Sequence, residues 1–237
     1  MTDLLFLDDA YLREFSATVT EVVEGNGVVL DKTAFYPGGG GQPADSGVLV
    51  AGGESWTVTK AKRVGGQPVH FLDREPPPLG TAVSGHLDWQ RRYQLMRTHT
   101  AMHILCGVIF RDYGASVTGG DMEPLKGRMD FEFETMQRAL VDQINEHINA
   151  EVVKARPVSW RELPRDEAFQ IPDLIRTKIN LLPEGIQRVR VVEIEGLDLQ
   201  ADGGTHVRNT SEVGKIQVVD YKSKGKINKR IYVELGA

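Results

Sequence analysis

A single cysteine, Cys106, stands among the 237 residues. No disulfide can form within this chain, and a cysteine-rich zinc site is excluded. Long apolar runs are missing too: none approaches the roughly 18 residues that a membrane-spanning helix needs. The start, MTDLLFLDDAYLREF, is acidic and lacks a basic stretch followed by an apolar one. No secretory leader is therefore expected. Positive charge is not in excess either, and a net charge of -5 argues against a protein that coats nucleic acid indiscriminately. These absences predict a cytoplasmic chain with no membrane partner. The length suits one large domain or two small ones with a buried core.

The first part of the chain reads as β-structure. SATVTEVVE alternates, GNG supplies a tight turn, and VVLDKTAFY continues as a partner strand. GVLV, WTVTKAKRV and PVHFL follow as further short strands, a spacing that suggests a small barrel or sandwich. DREPPPLG breaks this pattern, because three prolines continue neither a helix nor a central strand, and we place a linker there.

From Asp88 the period changes. Trp89, Tyr93, Met96, His99, His103, Cys106 and Phe110 recur at intervals of three and four, and Gly114 ends the run. RMDFEFE alternates as a strand. A second helix is expected between Thr135 and Pro157, with Leu140, Ile144, Ile148 and Val152 on one face. IQRVRVVEIEG and GKIQVVDYK read as strands. The chain is thus predicted to be α+β, a small N-terminal β-barrel over residues 1–85 followed by an α+β domain over 86–237.

His99 and His103 lie one helical turn apart on the apolar stripe. A zinc protease would carry a glutamate beside the first histidine, as H-E-x-x-H; here that position is Thr100. Two stacked imidazoles each need a buried partner, at a cost of roughly 1–3 kcal/mol when unsatisfied. A shared metal satisfies both, although on this helix alone two core histidines fit as well. Cys106 lies about 10 Å along the axis from His99, too far to share an ion. His70, His86 and His147 read as exposed or structural. His206 differs: it follows Asp202 across two glycines in DGGTH, and glycine lets the backbone fold so that both side chains converge. Together the two motifs offer four ligands, His99, His103, Asp202 and His206.

This combination of HTAMH and DGGTHVRNTSEVG resembles the editing domain of alanyl-tRNA synthetase and its free-standing AlaX-type relatives. TAFYPGGGGQPADSG and DWQRRYQLMRTHTAMHIL resemble the same family, and the similarity covers nearly the whole chain. The resemblance implies a medium-length form without a synthetase core: a barrel, then an editing domain of the second-additional-domain type shared by alanyl- and threonyl-tRNA synthetases. It implies a metal-dependent hydrolase that deacylates tRNA(Ala) mischarged with serine or glycine. A pocket discriminates poorly against a smaller amino acid or an added hydroxyl, so a second hydrolytic sieve is needed.

Zinc, one ion per chain, is the implied cofactor. The family usually places cysteine where this chain has Asp202; a carboxylate is an acceptable ligand, but losing the thiolate admits other divalent ions. Thr33 and Gln42 match family positions near the pocket, so the implied catalytic set is His99, His103, Thr33 and Gln42. Thr33 and Gln42 are also the expected substrate contacts. Lys222, Lys224 and Lys226, with Lys229 and Arg230, surround a predicted tail hairpin and offer phosphate contacts; a solubilising edge hairpin explains them equally. Two other classes remain, a tRNA-binding module with weakened catalysis and a different metal-dependent hydrolase.

Overall fold

The computed structural model describes residues 2–176 and 185–236, and the chain divides into two compact units, Met1–Gln94 and Leu95–Ala237. The first begins with β1 (Asp3–Leu4), the short helix α1 (Leu5–Asp8) and β2 (Glu14–Val23). There follow β3 (Gly27–Leu30), β4 (Lys32–Thr33), β5 (Gly47–Ala51), β6 (Glu54–Val64), β7 (Gln67–Leu72) and β8 (Ala82–Leu87). Six of these strands close into a barrel in the order β2-β3-β7-β6-β5-β8, and β1 pairs with β4 in parallel.

Period-2 alternation builds the barrel. Phe15, Ala17 and Val19 of β2 point inward, where they meet Leu49, Trp56, Val58, Leu72 and Val83. The proline segment is a loop inside the barrel rather than a linker. Beyond it β8, including His86, pairs with both β2 and β5 and completes the closure. The unit boundary accordingly falls at Gln94/Leu95, later than the expected 85/86.

Asp45, from the glycine-rich stretch, accepts from the Tyr36 amide at 2.6 Å and is clasped by Arg92, whose Nε lies 3.0 Å from both carboxylate oxygens. Both side chains are buried. This charge-paired strut holds the loop, and four consecutive glycines, Gly38–Gly41, all take positive φ within it. Any Cβ would strain that path.

Helix α2 (Trp89–Tyr113) matches the predicted span, and Gly114 ends it at φ 63°. In the second unit come β9 (Val117–Glu123), β10 (Lys126–Glu132), helix α3 (Arg138–Val153), β11 (Val158–Pro164) and α4 (Arg165–Ala168). The described elements end with β12 (Arg188–Ile194), β13 (Asp198–Ala201), β14 (Ile216–Ser223) and β15 (Asn228–Leu235). One antiparallel sheet runs β14-β15-β10-β9, the other β11-β12-β13. The buried face of α3 is Val141, Ile144, Ile148, Glu151 and Val152, with Leu140 only half-buried.

The three-stranded sheet has two chemically distinct faces. Val189 and Val191 point toward Ala168 and Leu174, joined by Leu163, Leu199 and Ala201, an apolar layer. The alternate residues, Trp160, Arg190, Val192, Asp198, Gln200 and Asp202, fall on the opposite face. No described helix is long and apolar enough to cross a membrane.

Candidate metal centre

The four predicted ligands come together. One ligand atom from each of His99, His103, Asp202 and His206 lies within 4.8 Å of every other. A tetrahedral ion with ligands at about 2.0–2.2 Å holds its donor atoms roughly 3.3–3.6 Å apart. The widest-spaced donors would close in by about an ångström to share it. The three imidazoles pack ring to ring, with centroids 5.0 Å (His99–His103), 4.2 Å (His99–His206) and 4.7 Å (His103–His206) apart. All three are buried, and the Asp202 side chain is 13% exposed.

Two backbones set this convergence. The 3.6-residue period stacks His99 over His103 on α2. Asp202 prolongs β13, since its amide donates to the Arg190 carbonyl at 3.1 Å. The chain then turns back on itself: the Gly204 amide donates to Asp202 Oδ2 at 2.8 Å, which brings His206 Nε2 to 2.9 Å from the same oxygen. Asp202 Oδ1 is the oxygen facing His99 Nε2, at 3.6 Å.

Behind the ligands stands a shell that sequence reasoning did not name. His103 Nδ1–H donates to Asp198 Oδ2 at 2.9 Å, leaving Nε2 as its ligand atom. Gln200 Nε2 donates to the same oxygen at 2.7 Å and steadies the carboxylate. Such a carboxylate behind an imidazole fixes tautomer and ring orientation and raises ligand basicity. Arg190 Nη1 donates to the carbonyls of Asp202 and Gly204, both at 3.1 Å, and so pins the ligand loop. Asp198, Gln200 and Asp202 alternate along LDLQAD, and that period of two was the available signal.

Thr100, where a protease would carry its glutamate, has no exposed surface. Its hydroxyl lies 3.2 Å from His206 Nδ1 and accepts from the Val207 amide at 3.3 Å. The position ties the helix motif to the loop motif instead of supplying a base. Gly107 allows the approach: a Cβ there would stand 2.9 Å from Leu197 Cγ and 3.1 Å from Asp198 Cβ.

The charges suit a cation. Burial lowers His99 well below the ordinary imidazole value and brings His206 to about 4. Burial opposes a proton on His103 as well, but the bond and charge of Asp198 outweigh it and raise the value. Asp202 sits well below the usual carboxylate range; burial works against its charge, and the surrounding imidazoles favour it more. Neutral imidazoles and an ionised carboxylate are the forms a divalent ion binds. The group could hold one. Cys106 is a buried core residue whose thiol burial pushes well up.

The remaining predicted residues lie elsewhere. Thr33 and Gln42 belong to the first unit. Thr33 is 0% exposed; its hydroxyl lies 2.8 Å from His70 Nε2 and accepts from the Phe35 amide at 3.1 Å. Gln42 is buried and its backbone closes a tight turn with Gly39. On the tail hairpin Lys224 and Lys226 are exposed, while Lys222 faces Asp220 at 3.2 Å. Lys229 and Arg230 turn inward. Lys229 Nζ donates to the carbonyls of Gly225 and Lys226, both at 2.9 Å, and Arg230 Nε pairs with Asp130 at 2.6 Å. The five-cation patch therefore shrinks to three.

Family models match at both ends of the chain. Residues 7–91 match class II (A) tRNA synthetases, and residues 189–232 match the threonyl and alanyl tRNA synthetase second additional domain. The chain is 43% identical to the alanyl-tRNA editing protein AlaX-M of Saccharolobus solfataricus over 98% of both proteins. It is 37% identical to the AlaX-M protein of Methanosarcina barkeri over 99% of both. It also matches the alanine–tRNA ligase of Ignicoccus hospitalis at 41% identity, over 92% of this chain and 24% of that enzyme.

Proposed function

The chain belongs to the AlaX-M alanyl-tRNA editing proteins, and from that membership we propose that it deacylates mischarged tRNA(Ala) in trans, in the cytoplasm. The carrying observation is the convergence of His99, His103, Asp202 and His206 into one buried donor set. The ion we propose is zinc: three imidazoles and one carboxylate suit tetrahedral coordination, though without a thiolate the site discriminates less against other divalent ions. When bound, the ion supplies Lewis-acid stabilisation of the charge that develops on the ester's carbonyl oxygen.

The chain's own groups do the rest. His99, His103, Asp202 and His206 hold the ion, Asp198 orients His103, and Arg190 keeps the ligand loop in place. No glutamate stands beside His99 to act as a protease-type base, and the proton of the attacking water ends on the ribose oxygen that departs. We assign serine recognition to Thr33 from its place in TAFYPGGGGQ, with Gln42 beside it in the same motif. The Thr33 hydroxyl gives its proton to His70 and accepts from Phe35, which leaves one lone pair to accept from a substrate hydroxyl. Alanine has no such donor.

Deacylation rates on Ser-, Gly- and Ala-tRNA(Ala), read beside the metal content of the purified protein, test the proposal. Rapid loss of serine with alanine spared is expected; a metal-bearing protein that turns over none of the three would leave a tRNA-binding module. Thr33→Val keeps size while deleting the hydroxyl. We expect it to narrow the serine-to-alanine ratio by about tenfold or more with metal retained. If the ratio holds and only thermal stability falls, Thr33 is a barrel strut.

A further inference from the structure

Trp160 stands on the outer strand of the three-stranded sheet, on the face that carries the metal-site residues. The register places it opposite Val192, which lies opposite Gln200, the residue that steadies Asp198. Neighbouring strands are about 4.8 Å apart, so the indole begins roughly 10 Å from Gln200. One side chain bridges that gap. The Arg190 guanidinium carbon lies 5.3 Å from the Trp160 ring centroid, while its Nη1 bonds the ligand-loop carbonyls and comes within 3.9 Å of Asp202 Oδ2.

Trp160 nonetheless remains 40% exposed. Scattered exposed aliphatics such as Leu79 and Val153 need no explanation. The other large exposed aromatic among the described residues, Phe169, follows α4 on the sheet's apolar side. A half-open indole, backed by a fixed cation and beside the ligand loop, is a different object. It presents a rigid π surface at the rim of a hydrolytic site, at small entropy cost.

We propose that Trp160 is a stacking platform for the unpaired nucleobase on the ribose that carries the ester. This rests on the editing reading given above. The ester and its base hang from one sugar, so a carbonyl held at the metal cluster leaves the base a sugar's width away, toward the edge strand. Stacking on an aromatic ring needs only a π face, which every base has, and contributes binding without reading sequence. Arg190 orients the indole from behind and adds cation–π attraction to it.

The test uses the metal-loaded full-length protein and uncharged RNA, so it reads binding without turnover. The probes are a tRNA(Ala) acceptor minihelix with its unpaired 3′ nucleotides and the same minihelix lacking the terminal nucleoside. Wild type should prefer the intact RNA, with tryptophan fluorescence quenched on binding. Trp160→Ala should lose roughly five- to a hundredfold in affinity for the intact RNA and little for the shortened one. Trp160→Phe should keep most of the affinity and abolish the quenching. An unchanged intact-to-shortened ratio in Trp160→Ala overturns the proposal. So does loss of metal with no change in that ratio, which would make Trp160 only a cover for Arg190. If wild type discriminates the two RNAs yet hydrolyses no mischarged tRNA, the editing reading fails and the platform stands.

Discussion

Each unit of this molecule buries imidazoles whose proton affinity burial depresses, and the two put them to opposite uses. In the barrel, His70 has no exposed surface and burial brings it to about 4. Its Nδ1–H donates to the Val28 carbonyl at 3.3 Å and its Nε2 accepts from the Thr33 hydroxyl at 2.8 Å. Both ring nitrogens are spent, and the imidazole serves as a strut between β3, β4 and β7. In the second unit His206 is held as low, also by burial. There His103 commits one nitrogen to Asp198 and turns the other toward two more imidazoles and a carboxylate. A depressed pKa therefore does not mark a ligand. What marks it is the direction of the remaining lone pair.

The comparison breaks most visibly on removal of a ligand. His206→Ala should empty the site of metal and lower deacylation by about a thousandfold or more, the several kcal/mol that Lewis-acid stabilisation is worth. His70→Gln should keep near-stoichiometric metal by elemental analysis. If His70→Gln loses its metal too, the two kinds of histidine are not separate.

Acid should sharpen the same contrast. His70 has a folded value near 4 against 6.5 for an ordinary histidine, so between these values the unfolded chain binds more protons. Stability from this residue is complete above pH 6.5 and is lost as pH falls toward 4, about 3 kcal/mol in all. Urea midpoints across that range should fall in wild type, and the His70→Gln slope should be shallower. Parallel slopes would remove the strut.

Smaller effects are expected one layer out. Asp198→Asn retains an acceptor for His103 but removes the charge behind it. Chelator competition should show metal affinity weakened about tenfold, the lower end of what outer partners of ligating histidines contribute. Equal affinity would mean that Asp198 only fills space. The smallest effect belongs to the tail hairpin, where outward and inward lysines repeat the contrast. Replacing Lys224 and Lys226 with alanine should flatten the salt dependence of tRNA binding by a slope of about 0.7–0.9 per lost phosphate contact. Lys229→Ala, whose Nζ is held by Gly225 and Lys226, should lower stability and leave that slope alone.

Much of this design was legible from residue order. The helix carrying His99 and His103 announced itself through its three-four spacing and Gly114, and the ligand loop through two glycines between Asp202 and His206. The barrel strands were readable wherever one face was buried. What escaped were elements without that contrast. Five of the seven residues of β11 are exposed and only Val158 and Leu163 are half-buried, so nothing alternates. Strand β9 carries two glycines and two acids. The proline loop misled because a barrel can close beyond it. Asp198 escaped for another reason: its role depends on a partner 95 residues away, and only the packing of α2 against β13 at Gly107 reveals it.

The two-faced sheet has a consequence for how this family can change length. Asp198, Gln200 and Asp202 face the metal cluster, while Leu199 and Ala201 face the apolar layer. Deleting or inserting one residue within β13 exchanges the two sets, burying a carboxylate in oil and aiming leucine at the ion. A change of two residues restores the alternation. Heritable length variation in this strand should therefore come in even steps, with odd ones confined to the turn at 195–197. The pleat acts as a parity check on the gene.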